Sequence, residues 1–189
     1  MTDRLFVAVV PPQSVVDDLE RYVGPRRDFG APWRWSPARN WHVTLAFLGD
    51  VDAGLQEPLA ELLADVAATT GPFSFASGGA LAFPDPRNAK VLALAATQGA
   101  DDMGHLARRV RNACSRAGAQ PDGARFTPHL TLARNGRGAS ARALLEVADS
   151  FGTFAWTVGG FALFASTLAP SGARYNVVER FDFPPADGS

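Results

Sequence analysis

The sequence predicts a mixed α and β fold built from two similar halves. Apolar runs of strand length alternate with stretches of helical periodicity in the order β-α-β-α-β. This order occurs twice and is followed by one more strand. Three phrases of the first half also return in the second half, in the same order and at similar offsets of 81 to 87 residues. Together these observations favour an internal duplication.

Two of the repeated phrases are apolar strands. Residues 4–10 (RLFVAVV) match residues 90–96 (KVLALAA), and residues 73–83 (FSFASGGALAF) match residues 154–164 (FAWTVGGFALF). The second pair shares two phenylalanines and a Gly-Gly pair at equal spacing. A duplicated unit usually packs with pseudo-two-fold symmetry, so we expect equivalent strands of the two halves to face each other.

Length and composition fit a single two-lobed domain over 1–189, with repeat units of about 1–86 and 87–189. A chain of 189 residues buries a sizeable core without disulfides or metals. Its 47% hydrophobic and 20% charged residues are ordinary for a globular protein. Cys114 is the only cysteine, which excludes an intrachain disulfide and a zinc cluster of cysteines.

The charge balance gives no global attraction to nucleic acid, because the net charge is −1. A nucleic-acid substrate would have to be bound by a local cluster of charge. All basic residues except Lys90 are arginines, which suit bidentate contacts with phosphate. The sequence shows no signal peptide and no apolar span of 18 residues, so we expect a cytoplasmic protein that does not enter the membrane.

Apolar and β-branched runs bounded by Gly, Pro or polar clusters define the predicted strands. The first run ends at the Pro11-Pro12 pair, and the Gly78-Gly79 pair indicates a bulge or bend in the strand that contains it. The predicted strands are 5–10, 33–35, 40–49, 73–83, 90–96, 127–134, 154–164 and 174–183.

Four stretches between the strands are predicted as helices. In the second of them, Leu55, Leu59 and Leu63 share one face, and Asp52 is expected to cap its start. Pro58 fits poorly inside this helix and suggests a later start. The predicted helices are 12–23, 52–68, 101–118 and 140–148.

The strand predicted over 40–49, NWHVTLAFLG, carries an unusual polar face. Because side chains alternate along a strand, His42 and Thr44 point to one side, and Val43 and Leu45 point to the other. The imidazole and the hydroxyl lie about 6.6 Å apart along the strand. A strand that needed only a polar face would rarely use histidine.

The same pattern returns in the second half of the chain. Residues 128–134, PHLTLAR, place His129 and Thr131 as the first motif places its own histidine and threonine. The chain has only three histidines, and two of them occupy the same H-x-T-L-A pentapeptide. If the halves pack about a pseudo-two-fold axis, His42 and His129 lie on opposite walls of one cleft.

Two facing imidazoles have a clear chemical use. With an ordinary pKa near 6.5, one can accept a proton from a nucleophile while the other gives a proton to a leaving group. The neighbouring threonine hydroxyls can donate hydrogen bonds to anionic oxygens. This arrangement fits in-line displacement at phosphorus. Two histidines alone are too few ligands for a catalytic metal, so neither a metal nor another cofactor is expected.

The motifs HVTLAFLG and PHLTLAR resemble those of the two-histidine phosphoesterase superfamily. Within it, the chain is most similar to the RNA 2′,3′-cyclic phosphodiesterases, also called LigT-like or 2′-5′ RNA ligase proteins. The resemblance covers nearly the whole chain. Further similar phrases are RLFVAV at 4–9, RWSPARNWH at 34–42, FPDPRNAKVL at 83–92, RFTPH at 125–129 and STLAPSGARY at 166–175.

The resemblance implies a bilobal α+β fold, with antiparallel sheets flanking a central cleft. It also implies an enzyme that hydrolyses RNA 2′,3′-cyclic phosphate ends to 2′-phosphomonoesters without metal. The partner would be an RNA or oligonucleotide end that carries the cyclic phosphate. We expect a monomer with no obligate protein partner.

The resemblance also assigns roles to five residues of this chain. His129 would be the general base on water, and His42 the general acid on the departing ribose oxygen. Thr44 and Thr131 would hold phosphate oxygens, and Arg134 would add positive charge. Strict alternation, however, turns Arg134 to the face opposite His129 unless the strand ends or bulges before it.

Several other residues are given ordinary structural roles. Strict alternation also turns Phe47 to the face opposite His42, so Phe47 is expected in the core. His105 is expected at the surface or in a capping role. The arginines of the third helix are predicted to form a solvated face: Arg108, Arg109 and Arg111. Four aromatic residues could stack on a base, although packing is the expected role of each: Trp33, Trp35, Trp41 and Tyr175.

Two alternative functions are compatible with the motifs. The first is a phosphodiesterase for small cyclic nucleotides or 2′-5′ linked oligonucleotides, which relative rates on mononucleotides and RNA ends would reveal. The second is an RNA-end binding or ligating module whose hydrolysis is incidental. Joining of a cyclic end to a 5′-hydroxyl faster than its hydrolysis would favour the second.

Overall fold

A computed structural model describes residues 2–28, 32–169 and 172–185 of the chain. The predicted α+β class is confirmed. The strands are β1 (Thr2–Val9), β2 (Arg34–Trp35), β3 (Val43–Asp52), β4 (Phe73–Phe83), β5 (Ala89–Gln98), β6 (His129–Ala139), β7 (Thr153–Val158), β8 (Gly160–Ala169) and β9 (Gly172–Asp182). The helices are α1 (Gln13–Val23), α2 (Gln56–Ala68), α3 (Ala100–Arg116) and α4 (Arg142–Asp149).

The strands of the described residues form one antiparallel sheet. Its order is β7-β4-β5-β6-β3-β1-β8-β9, and β2 adds to β6 at the centre. Two four-stranded halves meet where β3 pairs with β6, and this junction has a single paired position, Val43 with Leu130. The sheet thus consists of two halves joined at a narrow junction, and the half with β7, β4, β5 and β6 and the half with β3, β1, β8 and β9 are called its two lobes below.

The main core lies between the sheet and its helices. Helices α2 and α3 cover the half that contains β3, β8 and β9, whereas α1 and α4 cover β4, β5 and β7. Leu5, Val7 and Val9 of β1 enter this core, and Phe6 and Ala8 lie on the other face in a small separate cluster. Within the described residues, no helix is long and apolar enough to span a membrane.

The strand predicted over 154–164 is two strands that belong to different lobes. Strand β7 pairs with β4 in one half of the sheet, and β8 pairs with β1 in the other half. The chain crosses between the lobes at Gly159, which lies between the two strands. The apolar pattern continues across this crossing, because both strands contribute to the same core.

The glycine pair of β4 forms the predicted bulge. Gly78 and Ala80 pair with consecutive residues of β5, which leaves Gly79 unpaired, with a φ of 67°. A left-handed backbone angle of this kind favours glycine. Helix α2 starts at Gln56, later than Asp52, as Pro58 suggested. The predicted Asp52 cap is wrong, because a 3₁₀ turn precedes the helix and Asp52 ends β3 without capping through its side chain. Pro58 lies in the first turn of α2, where its missing N–H leaves no helical bond unmade.

Two of the three arginines predicted to form a solvated face of α3 instead tie α3 to its surroundings. Arg109 donates to Thr70 Oγ1 at 2.6 Å, which links α3 to the end of α2. Arg111 forms an ion pair with Asp122 at 3.0 Å. Arg108 is exposed, as expected.

Candidate active site

The pairing of β3 with β6 brings the two H-x-T motifs together. Val43 and Leu130 are direct partners and point into the core. Continuing this antiparallel register by one residue in each direction places His42 across from Thr131, and Thr44 across from His129. In a regular pair this register would make the two histidines diagonal neighbours, roughly 7–8 Å apart and somewhat closer between Cβ atoms. The two rings are close enough for His129 to contribute to the lowered pKa of His42.

Both imidazole rings are held by the same backbone contact. His42 Nδ1 lies 2.7 Å from the carbonyl oxygen of Asn40, and His129 Nδ1 lies 2.7 Å from that of Thr127. Since a carbonyl only accepts, each Nδ1 carries the proton, and each Nε2 of the neutral ring has a free lone pair. Neither Nε2 atom bonds to the described part of the chain, so both can act on a substrate.

An extra residue in β6 moves Arg134 onto the face of the motifs. Thr131 and Ala133 pair with consecutive residues of β5, which leaves Leu132 between them as a β-bulge. Leu132 and Ala133 are both buried, and Arg134 is exposed on the side of His129 and Thr131. A regular strand would have turned Arg134 to the opposite face.

A matching bulge in β3 does the same for Phe47. Thr44 and Ala46 pair with consecutive residues of β1, and Leu45 lies between them. Phe47 therefore emerges on the face of His42 with 45% of its surface exposed. The expectation that Phe47 lies in the core is wrong, because it assumed regular alternation. The two bulges place a phenylalanine and an arginine at equivalent positions of the two motifs.

Aromatic side chains pack around the His42 ring. The Phe6 ring lies 5.0 Å from the His42 ring and 6.1 Å from Phe47. Tyr175 meets the His42 ring edge-on at 5.4 Å, and Phe164 stacks on Phe6. These contacts fix the plane of the imidazole and shield one side of it from water.

The His129 ring has a smaller aromatic support. Phe83, the last residue of β4, lies 4.9 Å from it between ring centres. In the repeat, Phe83 is the equivalent of Phe164, which reaches His42 only through Phe6. The two halves of the site are thus similar in their histidines and different in their surroundings.

Burial and a neighbouring cation lower the pKa of both histidines. Burial lowers the pKa of His42 to about 4, against a raising effect of the Asn40 hydrogen bond, and the Arg134 guanidinium lowers it further. Burial also lowers the pKa of His129, which Thr127 opposes and Arg134 reinforces. Both rings are therefore neutral near pH 7, and Arg134 is close enough to act on both.

A cleft of about 530 Å³ extends from His42, Thr131 and Arg134 toward β2 and the start of β9. Its volume is that of a small-molecule site. Among the described residues that line it, five are arginines and none carries a carboxylate, so the cleft is positive in a chain of net charge −1. The lining residues are Arg27, Trp33, Arg34, Trp35, Ser36, Pro37, Arg39, Asn40, His42, Thr131, Arg134, Ala173, Arg174 and Tyr175.

The candidates for base stacking divide into two groups. Trp41 is packed in the core with 2% of its surface exposed, and Trp33 retains 7% although it borders the cleft. Trp35 and Tyr175 pack against the two hydrophobic clusters, as expected, but they are only partly buried and also line the cleft. His105 is exposed on α3, as expected.

Sequence reasoning missed the cleft arginines outside the motifs. Arg34, Arg39 and Arg174 lie in two of the phrases that carry the family resemblance, RWSPARNWH and STLAPSGARY. Their presence in those phrases was the signal that could have identified them as candidates for the site. Within the described ranges, no group of three or more His, Cys, Asp or Glu side chains is arranged to hold a metal ion.

Comparison with known proteins identifies the family. The model of the 2′-5′ RNA ligase superfamily matches residues 11–168. The RNA 2′,3′-cyclic phosphodiesterase of Thermus thermophilus is 34% identical over 185 residues, which cover 94% of this chain and 89% of that protein. The protein of the same name from Aquifex aeolicus is 29% identical over 182 residues, or 94% and 96% of the two chains.

Solved structures show the same fold. The crystal structure of the Thermus thermophilus protein TT0787 is 29% identical, with a TM-score of 0.77 over 95% of this chain and 97% of that one. E. coli LigT complexed with 3′-AMP is 25% identical, with a TM-score of 0.74 over 97% and 99% of the two chains. Because the family model spans most of the sequence, this chain belongs to the 2′-5′ RNA ligase superfamily, the two-histidine phosphoesterases.

Proposed function

We propose that this chain is a metal-independent RNA 2′,3′-cyclic phosphodiesterase that opens the cyclic phosphate to a 2′-phosphomonoester. The observation that carries the proposal is the pair of histidines whose Nδ1 atoms are both bonded to backbone carbonyls, in two motifs that meet where Val43 pairs with Leu130. The curated relatives named above, which are RNA 2′,3′-cyclic phosphodiesterases, support the same reaction.

The first proton transfer activates water. His129 Nε2, unprotonated near neutral pH, accepts a proton from a water molecule as that water attacks phosphorus opposite the bond to the 3′ oxygen. The lowered pKa keeps the ring in its neutral form. Its Nδ1–H remains bonded to Thr127, so the ring keeps its orientation while its charge changes.

The second proton transfer releases the ribose oxygen. As the P–O3′ bond breaks, the 3′ oxygen takes a proton from His42 Nε2–H and becomes a hydroxyl. The free protein holds His42 neutral, so the negative charge of the bound phosphate must raise its pKa to supply this proton. The phosphorus retains its bond to the 2′ oxygen, which makes the product a 2′-phosphomonoester. The choice of base and acid follows the family resemblance.

Thr44, Thr131 and Arg134 are proposed to bind the non-bridging oxygens. From the register of the Val43–Leu130 pair, each hydroxyl is expected on the face of the histidines, across the junction from the other motif's imidazole. Arg134 supplies a fixed positive charge that acts on both rings and, equally, on a phosphate between them. Such charge stabilisation costs no reorganisation during the reaction.

The test is to incubate the purified protein, in excess EDTA, with an RNA oligonucleotide that ends in a 2′,3′-cyclic phosphate. We expect complete conversion to the 2′-phosphate, identified by ³¹P NMR and by comparison with both phosphate isomers. Formation of the 3′-phosphate, or activity that needs a divalent ion added back, would contradict the proposal.

The same assay distinguishes the alternatives. Addition of an RNA with a 5′-hydroxyl tests ligation, and joining faster than hydrolysis would identify a ligating module. Turnover of cyclic mononucleotides or 2′-5′ linked oligonucleotides well above that of RNA ends would identify the small-substrate enzyme. The monomeric state and the cytoplasmic location stay predictions of the sequence.

A further inference from the structure

We propose that Arg34, Arg39 and Arg174 form a second phosphate site, which binds the phosphate on the 5′ side of the nucleotide that carries the cyclic end. This inference rests on the proposed function and specifies its substrate class. The preferred substrate is a nucleotide with a 5′-phosphoryl group, as at the end of an RNA strand, rather than a bare nucleoside 2′,3′-cyclic phosphate.

The first support is an excess of positive charge in the cleft. A cyclic phosphodiester carries one negative charge, and Arg134 already lies beside the two histidines. Of the remaining cleft arginines, only Arg27 has a carboxylate partner, Glu20 at 2.6 Å. Within the part of the chain that the structure describes, the side chains of the three arginines of the proposed site form no ion pair and no hydrogen bond.

The second support is a juxtaposition of like charges. Arg34 of β2 is the direct cross-strand partner of Arg134 of β6. Like charges directly opposite each other destabilise an antiparallel pair, and β2 contributes only two residues to the sheet. A bound anion relieves this repulsion. Adjacent strands lie about 4.8 Å apart. Arg34 can therefore reach a phosphate that lies one strand spacing farther from His129 than the phosphate that Arg134 contacts.

The third support is the alternation of guanidinium groups with aromatic rings. Arg34 is followed by Trp35 in β2, Arg174 is followed by Tyr175 in β9, and all four residues line the cleft. The Asn40 side-chain amide, which also lines the cleft, ties its segment to β9 by donating to the Ala173 carbonyl at 3.0 Å. Proteins bind single-stranded nucleic acid by such pairs, in which the ring stacks on a base and the cation contacts the backbone.

The experiment compares kcat/KM for three substrates at low ionic strength. They are adenosine 2′,3′-cyclic phosphate, its 5′-phosphorylated form, and the dinucleotide ApA with a 2′,3′-cyclic end. For the wild-type protein, we expect the second and third to exceed the first by about ten- to a hundredfold, since each gains a charge-assisted contact. A larger gain for the dinucleotide identifies an internucleotide phosphate, and a larger gain for the 5′-phosphorylated form identifies a terminal one.

Variants locate the effect. Arg34→Ala and Arg174→Ala should remove most of the gain while changing kcat/KM for the bare nucleoside by less than about threefold. Arg21→Ala removes an exposed arginine of α1 whose partner is Asp18, and should keep the full gain. Arg34→Gln removes the charge but keeps a longer polar side chain than alanine does, so it should also remove most of the gain. Equal melting temperatures show that each variant is folded.

The outcomes separate the two proposals. Equal rates on all three substrates, or a gain that survives in both cleft variants, would overturn the second phosphate site and leave the phosphodiesterase intact. Failure of the wild-type protein to hydrolyse any of the three would overturn the phosphodiesterase. Loss of the gain in Arg21→Ala as well would show a general charge effect and would also overturn the site.

Discussion

At the scale of single residues, the backbone bonds at Nδ1 decide what the two histidines can do. Asn40 and Thr127 each lie two residues before a histidine, and each offers its carbonyl oxygen to that ring. An imidazole held this way presents only Nε2 to a substrate, whatever its protonation state. The contact is built from backbone atoms, so it depends on the path of the chain and not on a third catalytic side chain.

Loss of either imidazole should remove one proton transfer. We expect His42→Ala and His129→Ala each to lower kcat by about 10²- to 10⁴-fold on an RNA 2′,3′-cyclic end. The double variant should be little worse than the poorer single variant, because both groups act in one step. Steady-state kinetics on the four proteins measure this non-additivity.

The threonines should matter less than the histidines. Thr44→Val and Thr131→Val keep the shape and the strand propensity, and each removes one hydrogen bond to an anionic oxygen. A loss of about ten- to a hundredfold in kcat/KM is expected. A well-folded His129→Ala protein with near wild-type activity would refute the proposed role of His129 as the base and, with it, the roles given to the motif threonines.

The lowered pKa of His42 should make stability depend on pH. Below an ordinary pKa of 6.5 the unfolded chain binds a proton at His42, which the folded protein, with a pKa of about 4, does not bind. Stability therefore rises with pH across this window and is lost as the pH falls through it. The shift of the His42 pKa corresponds to a loss of roughly 3 kcal/mol in the free energy of unfolding at the acidic end of this window.

The matched variant for this effect is His42→Gln, which cannot titrate. Urea denaturation at pH 7 and at pH 4.5, without ligand, gives the change in the free energy of unfolding for each protein. We expect the wild-type protein to lose more stability than the variant, because all other titrating groups are shared. Equal losses would show that His42 titrates in the folded protein as it does in the unfolded chain.

At the scale of elements, two β-bulges shape the site. They lie at Leu45 and Leu132, one residue after the threonine of each motif, and each reverses the face to which the following side chains point. Bulges of this kind re-aim side chains next to active sites. Their equivalent positions bring Phe47 and Arg134 to the same face as the histidines.

Arg134→Gln tests the geometry that the bulge in β6 creates. Because the Arg134 cation lowers the pKa of both histidines, its removal should raise both values, as measured by NMR titration of the imidazole C–H signals. Activity on a cyclic phosphate should fall by about ten- to a hundredfold. Arg21→Gln, which changes an exposed arginine of α1, should leave both titrations unaltered.

The contrast between regular and irregular segments explains what sequence reasoning could predict. Alternation along β3 and β6 predicted the shared face of each His-Thr pair, because only one residue separates the two side chains. The faces of Phe47 and Arg134 lie beyond an inserted residue, and no residue type in T-L-A requires a bulge. The cleft arginine Arg34 was missed because a strand of two residues carries no periodicity.

At the scale of the whole molecule, the two sequence halves exchange strands. Strand β4 of the first half pairs with β5 and β7 of the second, and β8 of the second half pairs with β1 of the first. The strand order is consequently symmetric about the β3–β6 junction, as expected for a duplicated unit. Each lobe is completed by the other half of the chain, and the site lies where the lobes meet.

This exchange predicts that neither half folds alone. In a fragment of residues 1–86, β4 loses both of its neighbours, and β1 and β3 remain as an isolated pair. In a fragment of residues 87–189, β7 loses β4 and β8 loses β1. Short isolated strand pairs are marginal in water, so each fragment should show no cooperative thermal transition by circular dichroism.

The full chain should unfold in one transition, and mixing the two fragments should restore some activity on an RNA 2′,3′-cyclic end. Restoration is expected because each strand pair that the separate fragments lack can form between the two fragments in the mixture. Each fragment also carries one H-x-T motif, and the proposed site needs both. A mixture in which His129→Ala is introduced into the second fragment provides the control and should stay inactive. Cooperative melting of either fragment by itself would instead show that the lobes are independent domains that follow the sequence halves.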